Sequence, residues 1–275
     1  MPVETPVRVI FHAGFHKTGT TSLQHALGAH RAALAPFYLV ETRALSPRLT
    51  AAAEAARAYS AAPAPALLAA LSGKLADWAN AITLKPGQGL VVSSEDFAGH
   101  MPANRGISDY AAAVPVAAAV VAAVRDRFAG CELTLLYTTR NADNWLRSIH
   151  WQLARHPDIE MTAGKFARKF AHAADFGAVI EAIRKADPGL DVVERPLETL
   201  TSTPLGPVEA IYDLAGLPDD LRASLPPVPA ANQSPPYDLS GAFVALNREA
   251  LPRPVLKRLK LALLAAAELD RGTGD

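Results

Sequence analysis

VRVIFHAGFHKTGTTSL, residues 7–23, decides the fold. Val7 to His12 is a short run rich in β-branched and aromatic residues, the composition of a buried strand. Gly14 to Thr20 follows as a loop with two glycines. Thr21 to Leu34 then places Leu23, Ala26 and Leu27 at helical core spacing. The order is strand, glycine loop, helix. Such a loop brings backbone N–H groups and a helix N-terminus together, which makes an anion site. Lys17 adds a full positive charge to it.

Working outward, the same alternation repeats. Phe37–Val40, Leu90–Ser94, Leu133–Thr139 and Leu190–Glu194 read as strands. Helices are expected over most of 47–83, with breaks at Pro63 and Pro65. More are expected over Ala111–Phe128, Asn144–Arg155, Ala163–Ala173, Phe176–Ala186, Val208–Ala215 and Ala242–Leu269. Residues 217–236 are proline-dense and read as a surface loop. Strands separated by helices predict a parallel sheet covered on both faces. Ligands of such sheets bind at the C-terminal ends of the strands, so the residues just after each strand carry the chemistry.

The whole-chain arithmetic is restrictive. The 275 residues suffice for one large domain, and 27 Lys+Arg against 27 Asp+Glu give zero formal net charge. A broadly basic nucleic-acid surface is not expected. One cysteine, Cys131, excludes a disulfide within the chain and a Cys-based zinc site; it reads as a small buried hydrophobe. His and Asp do not cluster at metal-ligand spacing. The first residues lack the basic-then-apolar pattern of a secretory signal, and no apolar run reaches 18 residues. The expectation is a cytoplasmic protein without stable membrane insertion.

Three strand ends hold candidate site residues. The first is the loop itself. Gly14 and Gly19 have the spacing of the ATP-binding pattern G-x-x-x-x-G-K-[ST], but Thr20 stands where that pattern has lysine. The second is Arg140-Asn-Ala-Asp-Asn-Trp-Leu-Arg-Ser148. Arg140 ends a strand, and Ser148 lies eight residues on, in the next helix. A guanidinium can hold a phosphate in a bidentate way, and a hydroxyl adds a hydrogen bond. The third is Ser93-Ser-Glu-Asp-Phe97. Glu95 reads equally as a general base or as an acid favoured at a helix N-terminus. His16 and His100 are further base candidates, and His12 reads as a buried structural histidine. Arg147 reads as a solvated helix position, Trp145 and Trp151 as core.

The stretch His16-Lys-Thr-Gly-Thr-Thr-Ser-Leu23 resembles the 5′-phosphosulfate loop of the sulfotransferases that use 3′-phosphoadenosine 5′-phosphosulfate (PAPS). Arg140 with Ser148 resembles the same family's 3′-phosphate signature. Ser93-Ser-Glu95 resembles a segment of bacterial members that also carry His-Lys-Thr-Gly-Thr-Thr. Leu190–Glu198 and Asn232-Gln-Ser234 are weaker echoes. Pro226 to Asp238 contains no Lys or Arg, unlike the basic C-terminal loop of better-studied members.

The resemblance implies a P-loop NTPase-like three-layer α/β fold, with a central parallel sheet flanked by helices and forming one domain over 1–275. Residues 43–89 would be a helical insertion and 239–270 the C-terminal helices. It implies that Lys17, Thr18, Gly19, Thr20 and Thr21 hold the phosphosulfate, and that Arg140 and Ser148 hold the 3′-phosphate. Lys17, Glu95 and His16 are the implied catalytic residues. The product would be a sulfated hydroxyl on a small-molecule, saccharide or lipid-linked acceptor, without metal. The competing reading is a P-loop kinase or a nucleotide-binding module without chemistry, supported by the glycine spacing alone.

Overall fold

Five parallel strands form one sheet in the order β2-β3-β1-β4-β5, with helices on both of its faces. The computed structural model describes residues 6–229, 238–249 and 251–272. The chain divides into two compact units, Met1–Arg140 with Asp175–Ala231, and Asn141–Ala174 with Asn232–Asp275. The first unit carries the sheet.

In chain order the elements are β1 (Arg8–His12), α1 (Thr20–Leu34), β2 (Tyr38–Thr42), α2 (Pro47–Ala61), α3 (Pro65–Ala81), β3 (Gly89–Ser93), α4 (Ala113–Arg127) and β4 (Glu132–Thr139). Helices α5 (Ala142–Ala154) and α6 (Ala163–Phe170) belong to the second unit. The first unit resumes with α7 (Phe176–Ala186), β5 (Asp191–Pro196), α8 (Leu197–Leu200), α9 (Glu209–Ala215) and α10 (Asp219–Ser224). Helices α11 (Ser240–Arg248) and α12 (Arg253–Gly272) complete the second.

Strand alternation builds the layers of the first unit. Ile10, Val91 and Leu136 point to one face, where Leu23 and Leu27 of α1 and Ile211 and Tyr212 of α9 cover them. Phe11 points to the other face and meets Trp78 of α3 at 6.0 Å and Phe97 at 5.0 Å between ring centroids. Helix α4 packs against both α3 and α7. Strand β3, between β2 and β1, is buried at all five positions, whereas the edge strand β5 is only partly covered.

The second unit is helical. Its core joins Ala154 of α5 to Phe243 and Val244 of α11, with Trp151 stacked on Phe243 at 5.2 Å. Lys260 of α12 buries its ammonium against the last carbonyls of α5, donating to Ala154 O at 2.9 Å and Arg155 O at 3.2 Å. A cation there complements the negative end of the helix. Asn247 Nδ2 donates to the carbonyls of Ala154, His156 and Ile159.

The C-terminal helices expected over 239–270 are α11 and α12, with Pro252 between them and Pro254 in the first turn of α12. Proline is tolerated in a first turn and not in a helix interior. Two expectations need correction. Part of 217–236 is helical: Pro218 precedes α10, whose first turn carries Asp219 and Asp220, acids favoured by the helix dipole. Cys131 is half-buried rather than buried. Asn232-Gln-Ser234 lies outside the described residues. No helix among the described residues is long and apolar enough to cross a membrane.

Candidate functional site

The parallel registers put Thr42, Ser93 and His12 level at one sheet edge, with Thr139 and Pro196 ending β4 and β5 at that edge. The loop 13–19 leaves β1 there. Its floor is a chain of buried hydrogen bonds. Ser93 Oγ lies 2.8 Å from His12 Nδ1, and His12 Nε2 lies 3.1 Å from Thr138 Oγ1. Thr138 Oγ1 lies 2.8 Å from Thr18 Oγ1, which donates to Phe15 O at 2.6 Å.

Only one arrangement of protons satisfies this chain. A carbonyl can only accept, so the Thr18 hydroxyl spends its proton on Phe15 O. Thr138 must then donate to Thr18, and His12 Nε2–H must donate to Thr138. Burial lowers the His12 pKa to about 3, so the ring is neutral and Nδ1 accepts from Ser93. The structural role expected for His12 is thereby explicit. It ties β3, β1, β4 and the loop together. Gly14 crosses directly above this ring, and a Cβ there would sit 2.6 Å from His12 Nε2.

Above the floor the backbone is strained in one place. Lys17 has φ of 67° and Gly19 φ of 90°. The left-handed region costs a non-glycine residue about 1–2 kcal/mol. Arg140 Nη1 donates to the Lys17 carbonyl at 3.2 Å, spanning 123 residues of sequence. Gly19 is the N-cap of α1. No side chain caps that helix, and its first turn contains no acid. The N-terminal N–H groups of α1 are therefore presented as an anion-binding end. Thr18 and Thr20 are buried, while Lys17, Gly19 and Thr21 are half-buried.

Beyond β3 the chemistry is charged. Glu95 opens a short 3-10 turn and is half-buried; its Oε2 accepts from Gln24 Nε2 of α1 at 2.7 Å. Its side chain is thus turned to α1. Asp96 is the buried member of the pair. Arg43 Nη1 donates to its Oδ2, Arg57 Nε lies 3.7 Å from Oδ1, and His16 Nε2 lies 3.8 Å from Oδ1. Burial alone would raise the Asp96 pKa. Its contact with His16 and the Arg43 and Arg57 charges prevail and hold it below the usual carboxylate value. Arg57 Nε also donates to His100 Nδ1 at 3.4 Å. Burial, then the Arg57 and Arg105 charges, lower the His100 pKa. The backbone N–H of His16 donates to Tyr110 Oη at 3.3 Å.

Lys17, Thr18, Gly19, Thr20, Thr21, His16, Glu95 and Arg140 thus all stand at the strand-end edge of the first unit. Ser148 is buried on α5 of the second unit, where Trp145 is also buried and Arg147 exposed. Glu198 lies just past β5 and is exposed. Sequence reading missed Gln24, Arg43, Arg57 and the central place of Asp96. Arg43 had a usable signal, because it directly follows the last residue of β2.

Neither a protein-family model nor a curated protein matches this chain.

Proposed function

We propose that the protein is a PAPS-dependent sulfotransferase built on a P-loop NTPase-like sheet. The observation that carries the reading is the bond from Arg140 to the Lys17 carbonyl. It joins the two motifs that the resemblance assigns to opposite phosphates of one nucleotide. The uncapped start of α1 and the left-handed turn at Lys17 and Gly19 suit a 5′-phosphosulfate. The residues present therefore fit this donor.

In this reading Lys17, Thr18, Gly19, Thr20 and Thr21 hold the phosphosulfate, and Arg140 holds the 3′-phosphate. Ser148 keeps only the role implied by the resemblance. The acceptor hydroxyl oxygen bonds to sulfur as the bond from sulfur to the bridging phosphate oxygen breaks. Lys17 offsets the charge that grows on that oxygen, an effect strongest in the transition state. Glu95, fixed by Gln24, takes the hydroxyl proton, with His16 as the second candidate. The products are a sulfate ester and adenosine 3′,5′-bisphosphate.

The kinase reading has less support. Thr20 occupies the position of the phosphate-binding lysine, and Asp96, the one fair magnesium ligand, is already engaged by Arg43. Calorimetry with adenosine 3′,5′-bisphosphate, AMP and ATP·Mg²⁺ decides between them. The proposal predicts tight bisphosphate binding and AMP at least about tenfold weaker, because a charged hydrogen bond is lost. ATP·Mg²⁺ binding without bisphosphate binding would return the loop to the kinase class.

A further inference from the structure

The charged cluster beyond β3 contains more positive charge than its own carboxylate can balance. Arg43 and Arg57 converge on Asp96, and Arg105 acts on the adjoining His100. Glu95, the other carboxylate here, is turned to Gln24 of α1. One buried carboxylate thus faces two guanidinium groups directly, with a third close by.

The donor geometry shows which groups are spent. Arg43 meets Asp96 through Nη1, and its buried Nε has no hydrogen-bond partner. Arg57 meets Asp96 and His100 through Nε alone. The planar fork formed by its two terminal nitrogens donates to no described residue. About a third of the Arg57 side chain is exposed, 35%. Arg105 is exposed and held at φ of 52°, in the left-handed region that a non-glycine residue rarely adopts. A guanidinium that served only to fasten α2 to the sheet edge would direct a terminal nitrogen at the carboxylate, as Arg43 does with Nη1. Arg57 instead leaves both terminal nitrogens without a described partner, on a partly exposed side chain that shares Asp96 with His16.

We propose that Arg57, backed by Arg43, binds an anionic group on the acceptor, so that the sulfated hydroxyl belongs to a molecule that also carries a carboxylate or a phosphate. Planar two-point recognition of a carboxylate or phosphate is what an open arginine fork provides. This assigns an acceptor class to the site and rests on the sulfotransferase reading. The anion site itself is testable without it.

The test titrates the full-length protein with a hyaluronan tetrasaccharide and with its carboxyl-reduced, neutral counterpart. Glucose 6-phosphate and glucose form the second arm, and the two arms separate carboxylate from phosphate. All titrations are run with adenosine 3′,5′-bisphosphate present in excess, so that the donor loop is not the site being read. The proposal predicts that an acidic probe binds about tenfold or more tightly than its neutral partner, with affinity falling as salt rises. Arg57→Gln should lose about tenfold, and Arg57→Lys should keep part of it. Bisphosphate affinity should be unchanged in both. Equal binding of acidic and neutral probes, no binding of either acidic probe, or acidic binding indifferent to Arg57→Gln would each overturn the proposal. A wild-type protein that fails to bind bisphosphate, yet binds the acidic probe through Arg57, would sink the donor assignment and leave this site standing.

Discussion

Two regions at the same strand ends hold their polar groups by opposite means. Under the loop, Ser93, His12, Thr138 and Thr18 are buried, neutral and paired in a single proton order. Beyond β3, Asp96 draws Arg43, Arg57 and His16 into a charged cluster that is partly open to solvent. Burial explains the difference. A charge taken from water without close partners is costly, so the dry floor uses hydroxyls and a neutral imidazole. The open cluster can keep its charges because water solvates their outer sides. The first region fixes geometry, and the second is suited to recognition.

The largest break in this contrast should come from the loop. Gly19→Ala places a Cβ in the left-handed region and 2.6 Å from Leu197 Cδ1. It should destabilise the protein by about 1–2 kcal/mol and lower bisphosphate affinity by more than about tenfold, since the N–H groups of α1 would be displaced. Chemical denaturation and calorimetry read the two effects. An alanine variant that kept both would show that the turn does not shape the anion site.

A pH experiment separates the two regions next. The folded-state pKa of His12, about 3, lies below the ordinary value near 6.5. Unfolded chains therefore bind the extra proton first as pH falls, and stability is lost between those values. The expected slope is about 1.4 kcal/mol per pH unit. His12→Gln should flatten the dependence of unfolding free energy between pH 4 and 6 by about that amount. Asp96 differs in window: its lowered pKa contributes stability above the ordinary carboxylate value, lost only as pH falls through the folded value. An unchanged slope in His12→Gln would contradict the neutral floor.

The smallest effect should be Gln24→Ala. It removes one half-exposed amide bond to Glu95, so stability should change by about 1 kcal/mol or less. Bisphosphate binding should be unaffected, while turnover falls if Glu95 needs that bond to be aimed. Equal turnover in wild type and variant would detach Gln24 from the chemistry.

Sequence legibility follows the same division. The segment 7–34 was readable because strand, loop and helix are local and each has its own pattern. Arg140 was readable because it directly follows an apolar run. The His12 chain was not, since it depends on the register that sets His12 beside Ser93 and on β4 running on past it through Thr138. The Asp96 cluster brings together His16, Arg43 and Arg57 from three separate segments, and no spacing announces such a meeting. Glu95 read equally as base or cap. The structure places Glu95 in the first turn of a short 3-10 helix, as the second reading has it, with its carboxylate accepting from Gln24. Helix α10 was hidden by the prolines around it.

In the proposed sulfotransferase, Arg140 and the Lys17 loop read two phosphates of one nucleotide. Arg140→Ala tests this pairing, by calorimetry with adenosine 3′,5′-bisphosphate and AMP side by side. The expected result is a loss of about tenfold or more for the bisphosphate, with AMP nearly unchanged, so that the two ligands become alike. Full bisphosphate affinity in Arg140→Ala, with its preference over AMP intact, would contradict it.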